Sequence, residues 1–397
     1  METFGQAIHR LRGDLSLRQV AQVASIDPGH LSRMANDKRP PTMQLAVALD
    51  RALDTGGELA ELVVALARPQ LRDVADGARP WETAELVRQL QAGAVTPATV
   101  ESLHATVFEL CCEYPTRKVD ELRKEAHGWL REVAGLLRRP VGLTAHTELL
   151  VAAGWLALLA GCLEYDMGMR AGAEATRVSA RELGKEGGNA EIIGWSYEMK
   201  AWFALTQSRY RAVHQAAGAG QDAAPNGSAA VQLVGQEAKA YARSGDIAAV
   251  RDALSRGRAM LDAMPLPDRP DHHFVVDPDK WDFYAMDAYR LAGDDELAAH
   301  HARRVLALGT TPGGDRSPMR MAEARLTLAA TAARTGDLEQ AVATGITALG
   351  GRRKSLPSLL MVGDELDGEL HRRYPGESGT AEFHEALQSV KSSDCLS

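Results

Sequence analysis

The chain has 397 residues, 45% hydrophobic but only 5% aromatic, and carries a net charge of −8 at pH 7. That length calls for two or three structural units, and the aliphatic and alanine content, with few period-two β-branched runs, calls for packed helices and an all-α fold class. No charged-then-apolar leader and no apolar run of membrane-spanning length is read, so the expectation is a soluble, cytoplasmic protein without membrane contact.

Phe4, Ile8 and Leu11 fall at helical spacing and open the chain with a helix. Between residues 15 and 39, Ser16 caps a second helix whose buried side carries Val20 and Ala24. Asp27 followed by Pro28 is another cap, with proline at the first helical position. Only Ser25 to Asp27 separate the two helices. So short a link makes them cross steeply, turning Leu31 and Met34 inward and His30, Ser32 and Arg33 outward, a face sized for a DNA major groove. Thr42 caps a further run with Leu45, Leu49 and Leu53, so residues 1–66 predict a bundle of four or five helices.

Ser16, Val20, Ala21, Ile26, Asp27, Leu31, Ser32, Arg33, Met34, Lys38 and Arg39 together resemble the helix-turn-helix domain of the Cro and lambda-repressor type, the XRE family. The resemblance implies binding to a double-stranded DNA operator. Arg33 is placed to make paired hydrogen bonds to guanine O6 and N7, while His30 and Ser32 read either a base edge or a phosphate. Arg18, Lys38 and Arg39 flank the motif as phosphate contacts that orient it without reading sequence. Gly29 either lets the recognition helix approach DNA closely or is, with Pro28, an ordinary helix start. Three departures leave base reading to few side chains: Leu17 stands where glutamine is common, Asp37 where glycine is common, and Pro28-Gly29 where base-reading side chains are common. Residues 1–53 hold seven Lys or Arg against five Asp or Glu, a net +2 that leaves −10 for the remainder. So weak a field favours two copies on one palindromic operator, and therefore a homodimer.

Residues 67–140 read as a linker and helical adaptor. Prolines, a glycine and charges fill residues 68–81, and Leu86, Leu90, Leu103, Val107 and Leu110 follow on helical faces broken at Thr96-Pro97 and Tyr114-Pro115. Leu122, Trp129, Val133 and Leu136 then mark one long helix. The third part, residues 141–397, repeats itself as helix pairs joined by polar turns. Taking Asp166, Ser208, Asp246, Asp294 and Asp337 as markers, the steps are 42, 38, 48 and 43, the longest containing an insertion from Pro265 to Pro278. A period near 40 built of helical hairpins predicts an α-solenoid. Residues 229–264, 280–308 and 320–350 resemble tetratricopeptide repeats, and the order of parts resembles actinobacterial XRE regulators with a tetratricopeptide-like C-terminal region.

The inner surface of such a solenoid is where a peptide, small molecule or partner protein is expected to sit. The insertion and the helix after it concentrate histidines, aspartates and aromatics. One reading has Lys280 or Arg269 meeting a ligand carboxylate with Phe274, Trp281 and Tyr284 giving apolar contact, so that Lys280, Trp281 and Tyr284 are the ligand-binding candidates. The other makes it a loop that caps the concave surface with its aromatics buried. Neither metal nor cofactor is expected. His272 and His273 are adjacent and diverge, no second cluster joins them with Asp277, and Cys111, Cys112, Cys162 and Cys395 lack zinc-type spacing and read as reduced thiols. His300-His301 reads as helix surface. With no phosphate-cradling glycine loop and no nucleophile elbow, an enzyme is not expected. The sequence therefore reads as a DNA-binding transcriptional regulator with an effector-sensing solenoid, or else as a repeat scaffold tethered to DNA or protein by its head.

Overall fold

The structure, a computed structural model, describes residues 2–24, 26–38, 41–63, 95–139, 141–311 and 314–394. These form two compact units, one on either side of residues 64–94. The expected linker at 68–81 and the helical positions Leu86 and Leu90 lie outside the described residues, as do Arg39 and Cys395.

The first unit holds α1 (Phe4–Leu11), α2 (Leu17–Val23), α3 (Pro28–Ala35) and α4 (Met43–Leu53), with residues 58–63 again helical. Capping chemistry starts each numbered helix. Thr3 with Gln6 and Ser16 with Gln19 form capping boxes, Asp27 accepts from the His30 amide, and Thr42 accepts from Leu45. Phe4, Ile8, Val20, Ala21, Leu31, Met34 and Leu49 fill the core, and Ala21 rather than half-buried Ala24 carries the inner side of α2. α1 lies so close to the end of α3 that a Cβ on Gly5 would sit 2.5 Å from the Ala35 carbonyl oxygen. Asp37, where glycine is common, has a left-handed backbone (φ 52°) that L-residues other than Asn and Asp rarely adopt. Its carboxylate accepts from the Thr3 hydroxyl at 2.7 Å and the Gly5 amide at 3.0 Å, so it binds the start of α1 to the end of α3. Asp50, buried, does the same work at the other side, accepting from the amides of Leu59 and Ala60 at 2.9 Å each.

The second unit consists of α5 (Pro97–Glu113) and α6 (Val119–Leu137), then six hairpins: α7 (Leu143–Asp166) with α8 (Arg170–Glu186), α9 (Ala190–Leu205) with α10 (Tyr210–Ala223), α11 (Ser228–Ser244) with α12 (Ile247–Asp262), α13 (Pro278–Ala292) with α14 (Asp295–Gly309), α15 (Pro318–Thr335) with α16 (Leu338–Leu349), and α17 (Leu356–Arg373) with α18 (Ser378–Asp394). After α14 a two-residue antiparallel pair joins Thr310–Thr311 to Gly314–Asp315. Three of the turns share one device. Gly245, Gly293 and Gly336 end their helices in the left-handed conformation, and the next residue, Asp246, Asp294 or Asp337, caps the following helix by accepting from its third amide. The first helices of successive hairpins pack on one another as an inner layer, with the second helices outside.

α5 and α6 are continuous with this array. Leu103, Val107, Leu110, Leu122 and Val133 share a single apolar core with Leu149, Leu156 and Leu163 of α7, so packing shows no break at residue 140. α7 itself is long and apolar enough, by length and composition, to cross a membrane, which corrects the reading that no such run exists. Its composition has a local cause: helices pack against it from several sides and bury it from Leu149 to Asp166 apart from Val151 and Trp155.

Two buried ionic clusters close the array on itself. Asp166, read as a turn residue, is instead the last residue of α7. It accepts from the Tyr114 hydroxyl at 2.6 Å and from Arg353 at 2.7 Å, across 187 positions of sequence. Arg243 of α11 bridges Asp287 at 2.6 Å and Glu365 at 2.9 Å, and Arg290 of α13 bridges the same two carboxylates at 2.6 and 2.7 Å. Burial opposes the charge on Asp287, but Arg243, Lys239 and Arg290 outweigh it and hold this carboxyl far below the usual range. Removing one partner of such a cluster strands the others in a low-dielectric interior. Asp287→Ala is therefore expected to destabilise the second unit by about 3–5 kcal/mol, read as a lower denaturant midpoint. Asp37→Ala is expected to cost the first unit about 1–2 kcal/mol through the lost caps and the unfavourable φ, while Asp37→Asn costs less, as two-unit unfolding curves would show.

Candidate nucleic-acid interface and inner pocket

In the first unit, the buried face of α3 is Leu31, Met34 and Ala35, which leaves Ser32 and Arg33 exposed and His30 half-buried. Arg18 on α2 and Lys38 after α3 are exposed as well. Among the described residues none pairs the side chains of Arg18, Arg33 or Lys38, so these cations face solvent uncompensated. Arg51 on α4 is likewise exposed and unpaired among the described residues, whereas Arg10 bridges Glu2 and Glu58, and Arg12 donates to the Leu15 carbonyl at 2.5 Å. The Arg33 side chain runs back along α3, as helical side chains do, and a Cβ on Gly29 would meet its guanidinium at 3.7 Å. Leu17, in place of a polar contact residue, packs on the core. One exposed feature went unread in the sequence: Val23, at the end of α2, is 60% exposed.

Residues 3–63 match a protein family described as a helix-turn-helix domain. Comparison with curated proteins gives no match for the chain. The first unit is a helix-turn-helix DNA-binding module, and the described residues after it form helices joined by turns, the loop at 265–277 and one two-residue strand pair.

In the second unit, the insertion residues 265–277 run inward and separate two cavities. The His273 amide donates to the Cys111 carbonyl at 3.1 Å and the Val276 amide to Ser228 at 3.2 Å, which anchors the loop to α5 and α11. His272 and His273 diverge, one to each cavity. On the His272 side, Phe108, Trp155 and Phe274 line an aromatic cavity of about 890 Å³, a figure that includes solvent outside its mouth. On the His273 side, the inner helices surround a pocket of about 720 Å³, counted likewise, with a polar wall. α9 gives it Glu198 and Trp202, α11 gives Gln232, Gln236 and Lys239, and α15 gives Arg320 and Glu323. Of the three residues read as ligand contacts, Lys280 and Tyr284 line this pocket, whereas Trp281 is buried with its ring against Gly257, where a Cβ would sit 2.0 Å away. Lys280 donates to the carbonyls of His273 at 2.8 Å and Val275 at 3.0 Å, and burial followed by Arg320 pushes it well below the ordinary lysine range. Arg269 lies outside the pocket, paired with Glu109 and Asp271.

His300 and His301 sit on α14, with His301 bound to Asp282 at 2.7 Å. The described cluster that could hold a metal is elsewhere: Asp367, His371 and His384 bring ligand atoms within 4.8 Å of one another. Here Asp367 already engages His384 at 2.9 Å and His371 at 3.3 Å.

The pocket residues of α9, α11 and α15 were not picked out from sequence. Their signal was present as polar side chains one turn apart in alanine-rich helices, such as Gln232 with Gln236.

His272 and His273 enter the fold neutral. Burial, reinforced by Lys280, lowers His272 to about 4 and His273 well below its ordinary value, with Arg269 and Asp271 also facing the former and Arg320 and Arg353 the latter. The Phe274 amide donates to Nδ1 of His272 at 3.2 Å, which the protonated ring could not accept. An unfolded chain binds protons at these rings from about pH 6.5 downward while the fold does not, so stability is full above that pH and falls as the pH drops toward 4. The expected slope is about 1.4 kcal/mol per pH unit for each histidine, measured by denaturation between pH 7 and pH 5, and His272→Gln should reduce it.

Proposed function

We propose that the protein is a sequence-specific transcriptional regulator of the XRE type that binds its operator as a homodimer and whose helical array, a tetratricopeptide-like solenoid, takes an effector in the inner pocket. The order of parts supports likeness to actinobacterial regulators of this build. The observation that carries the reading is the exposed, uncompensated Arg33 on a helix whose opposite side is fully packed, inside a segment that matches a helix-turn-helix domain. Arg33 makes the base contact, His30 and Ser32 touch base edge or phosphate, and Arg18, Lys38 and Gly29 hold the backbone close. With so few cations available, one copy gains little from counterion release, and pairing doubles the phosphate contacts. The effector acts by binding one state of the dimer more tightly than another, since equal affinity would shift nothing. The reading assigns the chain no catalytic step.

Gel retardation of a fragment from upstream of the chain's own coding region tests this. Arg33→Ala should remove the preference for that fragment over random duplex, a loss of about tenfold or more. Lys38→Ala should weaken both about equally and flatten the salt dependence. A folded protein that grips all fragments alike, with neither substitution changing the pattern, would contradict the proposal.

A further inference from the structure

The inner pocket contains a set of polar atoms that the protein leaves unsatisfied. Gln232 and Gln236, one turn apart on α11, both donate their amide N–H to Oε1 of Glu198, at 2.8 and 2.7 Å. That fixes the sense of both amides, and the oxygens left over are buried without a hydrogen-bond partner. Both side chains belong to residues at least nine-tenths buried. Oε2 of Glu323 is in the same condition, its Lys239 neighbour being 3.8 Å away, beyond hydrogen-bond reach. The Ser355 hydroxyl is a fourth buried atom without a partner. Natural folds carry only a few such atoms, and of the twelve found among the described residues four belong to residues that line this one cavity.

Two of the four are amide oxygens that can only accept, and Oε2 of Glu323 accepts whenever that carboxyl is ionised, so what fills the cavity must donate. The other chemistry of the wall is cationic. Arg320 lies three residues before Glu323 on α15, and among the described residues it makes neither an ion pair nor a hydrogen bond; Asp277 and Asp279 act on it through space. Arg320 is acted on by Asp277, Tyr284, Arg316 and Asp279, whereas Glu323 is acted on by Lys239, Asp287, Arg243 and Arg290, so the guanidinium and the carboxylate occupy different parts of the wall. A diamine would meet Lys239, Lys280 and Arg320 in the wall, and a simple carboxylate would leave the accepting oxygens unmet. Trp202, Phe283 and Tyr284 supply aromatic surface beside these groups.

We propose that this pocket binds a compact zwitterion of the α-amino-acid class, with its ammonium group among Gln232, Gln236 and Glu323, its carboxylate on Arg320 and its side chain against the aromatic rings. This deepens the effector reading and rests on it only for the regulatory consequence.

The experiment uses the full-length protein. Thermal unfolding is followed with each common L-amino acid in turn, with putrescine and butyrate as probes that carry charge of one sign only, at about 10 mM so that ligands of millimolar affinity register. At least one amino acid should raise the melting temperature in a concentration-dependent way, and its N-acetyl and carboxamide forms should bind about tenfold more weakly or worse. Arg320→Met and Gln236→Leu should each weaken the same ligand, with the cooperative melting transition of the second unit in the absence of ligand reporting that the fold is retained. The inference is overturned if no amino acid binds, if putrescine or butyrate binds as well as any amino acid, or if the N-acetyl and carboxamide forms bind undiminished. DNA binding without amino-acid binding would sink this inference and leave the regulator reading intact. Amino-acid binding without DNA binding would do the reverse.

Discussion

Burying charge is costly unless every partner is present, and this protein spends that cost where distant hairpins meet. Asp166 and Arg353 join the first hairpin to the segment before the last, and Arg243, Asp287, Arg290 and Glu365 lock three inner helices together. Hydrophobic burial alone would hold adjacent hairpins, because each needs only its neighbours. The ionic clusters do something different: they specify which non-adjacent helices face each other, since a mismatched register would leave charge unpaired in the interior. The pocket depends on that closure, because its wall is drawn from α9, α11, α13 and α15 at once.

The insertion at 265–277 is the second structural decision. By running inward and hydrogen-bonding to Cys111 and Ser228, it divides the interior into an aromatic cavity and a polar one. Its two histidines are used as neutral hydrogen-bonding and stacking groups, Tyr114 lying 3.7 Å from the His273 ring centre. The same backbone alternation that sends them to opposite sides removes them as a joint metal site.

In the DNA-binding head, polar residues are divided between holding the bundle and facing outward. Asp37, Asp50, Gln19, Arg10 and Arg12 are engaged within it, while Arg18, Arg33 and Lys38 around the motif, and Arg51 on α4, face solvent uncompensated among the described residues. The helices that present these charges are short and firmly capped, so their positions are fixed by local hydrogen bonds.

What could be read from the chain itself was local. Ser16, Asp27-Pro28 and Thr42 announced helix starts, and Gly-Asp pairs at 245–246, 293–294 and 336–337 announced hairpin turns, because capping and turn chemistry act over a few residues. The outward set on α3 was legible for the same reason: a helix face follows from spacing alone. Asp166, Lys280 and Trp281 could not be placed that way. Whether a polar residue near a turn is exposed, paired across 187 positions or set into a cavity wall depends on which distant helix arrives beside it, and spacing carries no such information. The sequence by itself thus determined the helices, their caps and the head's outward residues, whereas only the tertiary structure decided the closure, the two cavities and the unpaired atoms within one of them, since each of those arises from contacts between segments far apart in the chain.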